Sequence, residues 1–220
     1  MKQHAHEIDF THSESITRKF GKSVREIGKI QSKGLYWKYV NRIFKEPTCI
    51  KSWRTKYDFE LNDEEWDLIF KLPFTTTKDV RLREFQFKVL HRVYPTYSYI
   101  ARFDKSVKEL CITCNVKCDI CHMFYCCKYV SQFWRELEQW FCNAIRPINI
   151  NLQHVIFGIK TENTFLENFC ILHGKWFLHK GYKLHCNEKS YKPLFSHYVT
   201  YMKEVLKCEK QIIMNKVKEK

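Results

Sequence analysis

Apolar residues recur along this chain at intervals of three and four, the period of helices with one buried face. The clearest run is Val130, Phe133, Trp134, Leu137, Trp140, Phe141 and Ala144, which predicts a strongly amphipathic helix beginning directly after Cys127. Phe165, Phe169, Leu172 and Trp176 predict another over 164–180. Phe195, Tyr198, Val199, Met202, Val205, Leu206 and Ile212 predict a third over 194–215. Earlier in the chain, Asn62-Asp63-Glu64-Glu65 is a capping-box sequence, with a helix carrying Trp66, Ile69 and Phe70 expected to follow and to end before Pro73. A helix over 77–94 is expected from Thr77 as N-cap, Leu82, Phe85, Val89 and Val93 as the apolar stripe, and Pro95 as the stop. Tyr36, Tyr39, Val40 and Ile43 predict a short helix that stops before Pro47, and residues 1–30 show no sustained period and read as a loose arm. The aromatics on these stripes are expected in the core.

Composition narrows the class. Of 220 residues, 45% are hydrophobic and 16% aromatic, enough for a real core. Only 6 Gly and 5 Pro argue against an all-β sandwich and against a nucleotide fold built on glycine loops. Charged residues break every apolar stretch well before the ~20 residues of a bilayer span, and Met1 to Phe10 lacks the apolar region of a signal peptide. The expectation is a soluble intracellular protein of the cytoplasm or nucleus, with no membrane partner.

Charge adds a candidate partner. The 38 Lys+Arg against 24 Asp+Glu give +14, concentrated at the ends. Residues 1–57 hold 13 basic and 5 acidic groups, residues 151–220 hold 12 and 6, and the middle is near neutral. Such asymmetry suits a polyanion, because each cation placed on a phosphate releases a condensed counterion. The alternative is that lysine-rich faces only keep the chain in solution. Arg81, Lys88 and Arg92 fall on one predicted helix face and are the first candidates for phosphate contact. Lys33, Lys38, Lys203, Lys207 and Lys210 are the diffuse ones.

Cysteine placement supplies the chemistry. Of 11 cysteines, Cys111, Cys114, Cys118, Cys121, Cys126 and Cys127 lie within 17 residues; the other five are scattered among apolar neighbours and read as small buried hydrophobes. Without a secretion signal a disulfide framework is a poor explanation. The metal-site reading is Cys111-x2-Cys114-x7-His122-x4-Cys127: a C-x2-C pair binds from a single turn, and a His and Cys close the tetrahedron from a helix start. Thiolate and imidazole together suit zinc, and four protein ligands leave no open position, so the ion would be structural. Three alternatives stay open at this point. One is a four-cysteine site from Cys111, Cys114, Cys118 and Cys121, with three residues between its pairs. The second is an iron-sulfur or redox role, and the third is unliganded buried thiols. Cys126 is a further candidate to replace a ligand.

The sequence also resembles a known family, the C-terminal region of the reverse-transcriptase polyprotein of LINE-type (non-LTR) retrotransposons, including the zinc-binding segment after the polymerase domain. The resemblance is carried by Glu65-Trp66, by Leu72-Pro73-Phe74-Thr75-Thr76-Thr77, and by the stretch Arg81-Leu82-Arg83-Glu84-Phe85-Gln86-Phe87-Lys88-Val89-Leu90-His91-Arg92-Val93-Tyr94-Pro95-Thr96. It continues through Cys111, Cys114, His122, Phe124, Cys127 and Phe133-Trp134, and is strongest over about 66–141. Weaker echoes lie at Lys33-Gly34-Leu35-Tyr36, Pro47 and Trp53, and at Phe157-Gly158-Ile159, Lys175 and Glu209. It implies Cys111, Cys114, His122 and Cys127 as the zinc ligands. The family's usual Glu-Thr pair before the His is Cys118 and Asp119 here, and its Leu after the His is Met123.

The family's polymerase needs paired carboxylates, carried on an aromatic-x-Asp-Asp turn, and these 220 residues contain no Asp-Asp. No phosphate-binding glycine loop, H-E-x-x-H or nucleophile elbow is present either. The expected fold is mainly α, a helical domain with one small structural zinc knuckle inserted before an amphipathic helix. Its expected divisions are 1–30 (loose basic arm), 31–110 (helical region), 111–145 (zinc knuckle plus helix) and 146–220 (basic helical region). The expected function is a non-catalytic nucleic-acid-binding module, for RNA or single-stranded DNA, derived from such a polyprotein and working beside the rest of it. A zinc-stabilised protein-interaction module, or a decayed element fragment, are the rival readings.

Overall fold

The structure, a computed structural model, describes residues 46–57, 59–184 and 193–218, with side chains in the last helix described as far as Cys208. The expected arm over 1–30 and the helix expected before Pro47, with Lys33 and Lys38, lie outside the described residues.

Among the described residues the fold is helical throughout, with no β-strand beyond one isolated bridge. The elements are α1 (Thr48–Tyr57), α2 (Asp63–Thr76), α3 (Val80–Leu90), α4 (Tyr97–Ile100), a π-helical turn (His122–Cys126), α5 (Lys128–Ala144), α6 (Leu152–Phe157), α7 (Phe165–Leu184) and α8 (Phe195–Lys218). Pro47–Lys220 forms one compact unit.

The starts of α2 and α3 have local causes. The Asn62 carboxamide accepts from the Glu65 amide at 2.9 Å, and the Glu65 carboxylate accepts from the Asn62 amide at 3.0 Å, the reciprocal capping box that the sequence predicts. Helix α2 does not stop before Pro73. It runs three residues further, its last turn closed by the Thr77 amide on the Pro73 carbonyl and by the Thr75 and Thr76 hydroxyls on the Leu72 carbonyl. Helix α3 begins later than expected, because Asp79 caps the Arg81 amide while the Thr77 hydroxyl accepts from Asp79. It also ends earlier, at Leu90, leaving Val93 exposed and Arg92 in the left-handed region at φ 58°.

The core gathers on α7, which packs against α2, α3, α6 and α8. Phe157 at the end of α6 takes Trp53, Phe59 and Trp66 edge-on, each with ring centres 5.3 Å away. Gly158 then turns at φ 88°, where a Cβ would stand 2.1 Å from Leu72 Cδ2, so both the backbone conformation and the close approach need glycine. A second cluster joins Phe85, Tyr94 and Phe124, and α5 buries Val130, Phe133, Trp134, Leu137 and Phe141 along one stripe. The Trp134 indole N–H donates to the Phe124 carbonyl at 2.6 Å, which ties α5 to the π-helical turn.

Candidate metal centre

Three short segments bring the cysteine-rich stretch together. Residues 109–118 fold back on themselves: Leu110 and Lys117 form an antiparallel bridge, the Cys118 amide donates to the Glu109 carbonyl, and the Cys111 amide donates to the Val116 carbonyl. Asn115 supplies the reversal at φ 58°, a conformation asparagine tolerates better than most residues. Cys111 and Cys114 thus project from one tight turn.

The π-helical turn provides the other pair. In an α-helix residues five apart stand about 140° from each other around the axis, whereas the wider π turn brings them round to one side. His122 and Cys127 are five apart, and the Cys127 amide donates to the His122 carbonyl at 3.0 Å, closing that turn. Cys127 then sits at the N-terminus of α5, where free backbone amides favour a thiolate.

The result is one gathered donor set. The ligand atoms of Cys111, Cys114, His122 and Cys127 all lie within 4.8 Å of one another, and Cys114 Sγ is 3.1 Å from His122 Nε2. Three thiols and one imidazole at this separation can hold a metal ion. The Thr113 hydroxyl lies 3.0 Å from Cys111 Sγ and 3.8 Å from Cys127 Sγ, and the Tyr182 hydroxyl of α7 lies 3.4 Å from Cys111 Sγ. Hydrogen bonds from Cys118 and then Cys127 hold Cys111 far below the usual thiol range, while Cys127 is pushed up by its bond to Cys111 and by burial. Cys114 is raised too, chiefly by burial. One thiolate, that of Cys111, is therefore favoured, and it opposes ionisation of its neighbours.

Asp119 anchors this centre to the body. One carboxylate oxygen accepts from the His122 amide at 2.9 Å; the other accepts from Lys56 Nζ at 2.6 Å and from the Tyr57 hydroxyl at 2.8 Å. Burial raises the Asp119 carboxyl, but the bonds from Lys56, His122 and Tyr57 outweigh it and hold it below the usual carboxylate range. Sequence reasoning missed Asp119, Lys56 and Tyr57, since pairs 62 and 63 residues apart leave no local spacing to read. It missed Tyr182 for the same reason.

The remaining cysteines of the cluster stand outside the four. Cys118 is fully buried with its thiol against Cys111, Cys121 is buried beside Tyr57, and Cys126 is exposed. Among the described residues, the four-cysteine combination with Cys118 and Cys121 is not a gathered donor set.

The basic residues singled out from sequence do not form one line. Arg81 and Lys88 share a face of α3, paired with Asp79 at 3.5 Å and with Glu84 at 2.7 Å. Arg92 is off the helix, donating to the Ser52 carbonyl at 2.8 Å with its guanidinium over Trp53 and Tyr57. The expectation that all three follow one helix face is therefore corrected: the chain reverses at Arg92. Lys203 and Lys207 are exposed on α8, Lys207 paired with Glu204 at 2.8 Å, and the Lys210 side chain lies outside the described residues.

No protein-family model matches this chain, and no curated protein matches it. No helix among the described residues is long and apolar enough to cross a membrane.

Proposed function

We propose that this chain is a zinc-stabilised, non-catalytic module that binds single-stranded nucleic acid, RNA foremost, and that it derives from the C-terminal part of a non-LTR retrotransposon reverse-transcriptase protein. The observation that carries this reading is the gathered Cys111, Cys114, His122 and Cys127 set, at the four positions the resemblance picks out.

Zinc fits the donor set, because thiolate and imidazole suit a borderline-soft ion and four protein ligands close the coordination sphere. When bound it supplies a redox-inert crosslink between the 109–118 turn and the start of α5. The chain's own residues do the rest: Cys111 and Cys114 hold from the turn, His122 and Cys127 from the π-helical turn, and Asp119 fixes the His122 backbone on α1. The net charge of +14 supplies attraction to phosphate, with Lys203 and Lys207 among the outward cations. The absence of an Asp-Asp pair from the sequence supports a role beside a polymerase rather than as one.

An electrophoretic mobility titration with single-stranded RNA, single-stranded DNA and duplex at two salt concentrations tests this. A module neutralising about four phosphates on a single strand gives a log-log salt slope near −3. Absence of a complex with any of the three at physiological salt would overturn the nucleic-acid reading and favour a protein-interaction module. Primer extension in magnesium or manganese by a homogeneous preparation would overturn the non-catalytic one.

A further inference from the structure

An open groove of about 770 Å³, walled by α1, by the segment 91–102 and by residues 109–120, is lined in part by Asp119, which also accepts from the His122 amide. Its charges are unbalanced. Lys56, Arg92, Arg102 and Lys117 line it against two carboxylates, Asp119 and Glu109. Lys56 pairs with Asp119 at 2.6 Å and Lys117 with Glu109 at 2.8 Å.

Among the described residues the two arginines face neutral groups. The exposed Arg102 guanidinium lies over the Tyr99 ring, 5.6 Å from its centre. Arg92 bonds the Ser52 carbonyl and lies over the Trp53 ring at 5.0 Å. Guanidinium groups preset on aromatic rings, without a carboxylate to displace, are suited to phosphate, and their planes and rings are suited to unstacked bases. Half-buried rings beside cations suit the exposed bases of one strand rather than a duplex, whose bases are stacked inside.

Building on the nucleic-acid reading above, we propose that this groove is the seat of the single strand, with phosphates on Arg92 and Arg102 and a base stacked on Tyr99. Lys56 and Lys117, each paired with a carboxylate, flank the path. Because Asp119 holds both the groove wall and the His122 amide, loss of the metal should also disturb this seat. The Arg81 and Lys88 face of α3, whose cations pair with the capping Asp79 and with Glu84, then serves as a solvated face.

The test is fluorescence anisotropy with a labelled single-stranded RNA, the matching DNA strand and the matching duplex, at two salt concentrations. It uses the full chain, Arg102→Ala, the double variant Arg92→Ala with Arg102→Ala, and the pair Arg81→Ala with Lys88→Ala. Arg102→Ala should weaken the strand about 10-fold, and the double variant should flatten the salt slope by about 1.4, the share of two phosphate contacts on a single strand. The α3 pair should change affinity less than about 2-fold. Arg102 sits on an exposed turn, so its variant decides the matter even where Arg92→Ala disturbs folding. If the parent binds but Arg102→Ala binds equally tightly with the same slope, the groove is not the seat and the nucleic-acid reading stands without it. If the α3 pair loses binding, the seat is on α3, and preference for duplex over both strands overturns the single-strand geometry. If the parent binds none of the three, the functional reading itself falls.

Discussion

Helix α2 and the turn over 109–119 are segments of similar size held by different means. Helix α2 sends Trp66 and Ile69 into the aromatic core and closes its start with the Asn62 and Glu65 box. Between Glu109 and Asp119 the only buried side chains are two thiols, Cys111 and Cys118. The turn is otherwise ordered by polar contacts: a backbone bridge, the Asn115 reversal, the Ser98 amide on the Cys118 carbonyl, the Lys117 and Glu109 pair, the Asp119 anchor on α1 and the contacts of sulfur with Thr113 and Tyr182. A segment with so little apolar burial offsets little of its conformational entropy by packing, so the proposed ion would contribute more here than to α2.

The sharpest way to break the comparison is to remove the proposed zinc. Structural zinc can supply on the order of 10 kcal/mol to such a segment, so chelation should lower the Tm by about 10 °C or more. Amide exchange at Cys111, Asn115 and Cys118 should speed up well before that at Ile69. Equal acceleration everywhere would mean that the turn and the body are one cooperative unit.

A core truncation does the opposite. Ile69 is fully buried on α2, and Ile69→Ala should cost about 2–5 kcal/mol in denaturant unfolding while leaving the metal content unchanged. Loss of metal in this variant would join the two regions.

Lys175 gives a smaller, pH-dependent effect in the body. It is buried, bonded to the Gln86 carboxamide, and burial pushes its ammonium down to about 7. The unfolded chain binds this proton up to the ordinary lysine range, so the burial penalty vanishes above that range and grows as pH falls towards 7. Lys175→Met also removes the Gln86 partner, at a cost common to all pH values. Relative to the parent it should therefore gain about 1–3 kcal/mol more at pH 7 than at pH 10. A pH-independent difference between the two proteins would show that Lys175 keeps its ordinary affinity for a proton.

At the start of α2, Asn62→Ala should cost about 1 kcal/mol, read from urea unfolding, by freeing the Glu65 amide. The turn's metal affinity should not move.

What could be read in the sequence follows the same division. Helices α5, α7 and α8 were legible because long amphipathic periods repeat the same instruction several times, and the Asn62 box because its partners are three residues apart. Helices α1 and α6 were not: each carries only about two turns of pattern, Cys49, Ile50 and Trp53 in the first and Val155 to Phe157 in the second. The start of α3 was misplaced because Thr77 and Asp79 are both competent caps, and tertiary packing decided between them. Its end was misplaced because nothing in the pattern marks Arg92 as the reversal. At the metal centre, spacing favoured, and the resemblance picked out, four residues that the fold brings together. The π-helical turn that aligns two of them has no periodic signature, and the Asp119 anchor depends on chain segments more than 60 residues apart.

The central claim, that Cys111, Cys114, His122 and Cys127 hold one structural zinc, is tested most directly by native mass spectrometry on the parent, Cys114→Ser and Cys118→Ser. One zinc in the parent, one in Cys118→Ser and none in Cys114→Ser is the predicted result. A parent that holds no zinc after purification in its presence, or zinc kept by Cys114→Ser and lost by Cys118→Ser, would contradict it.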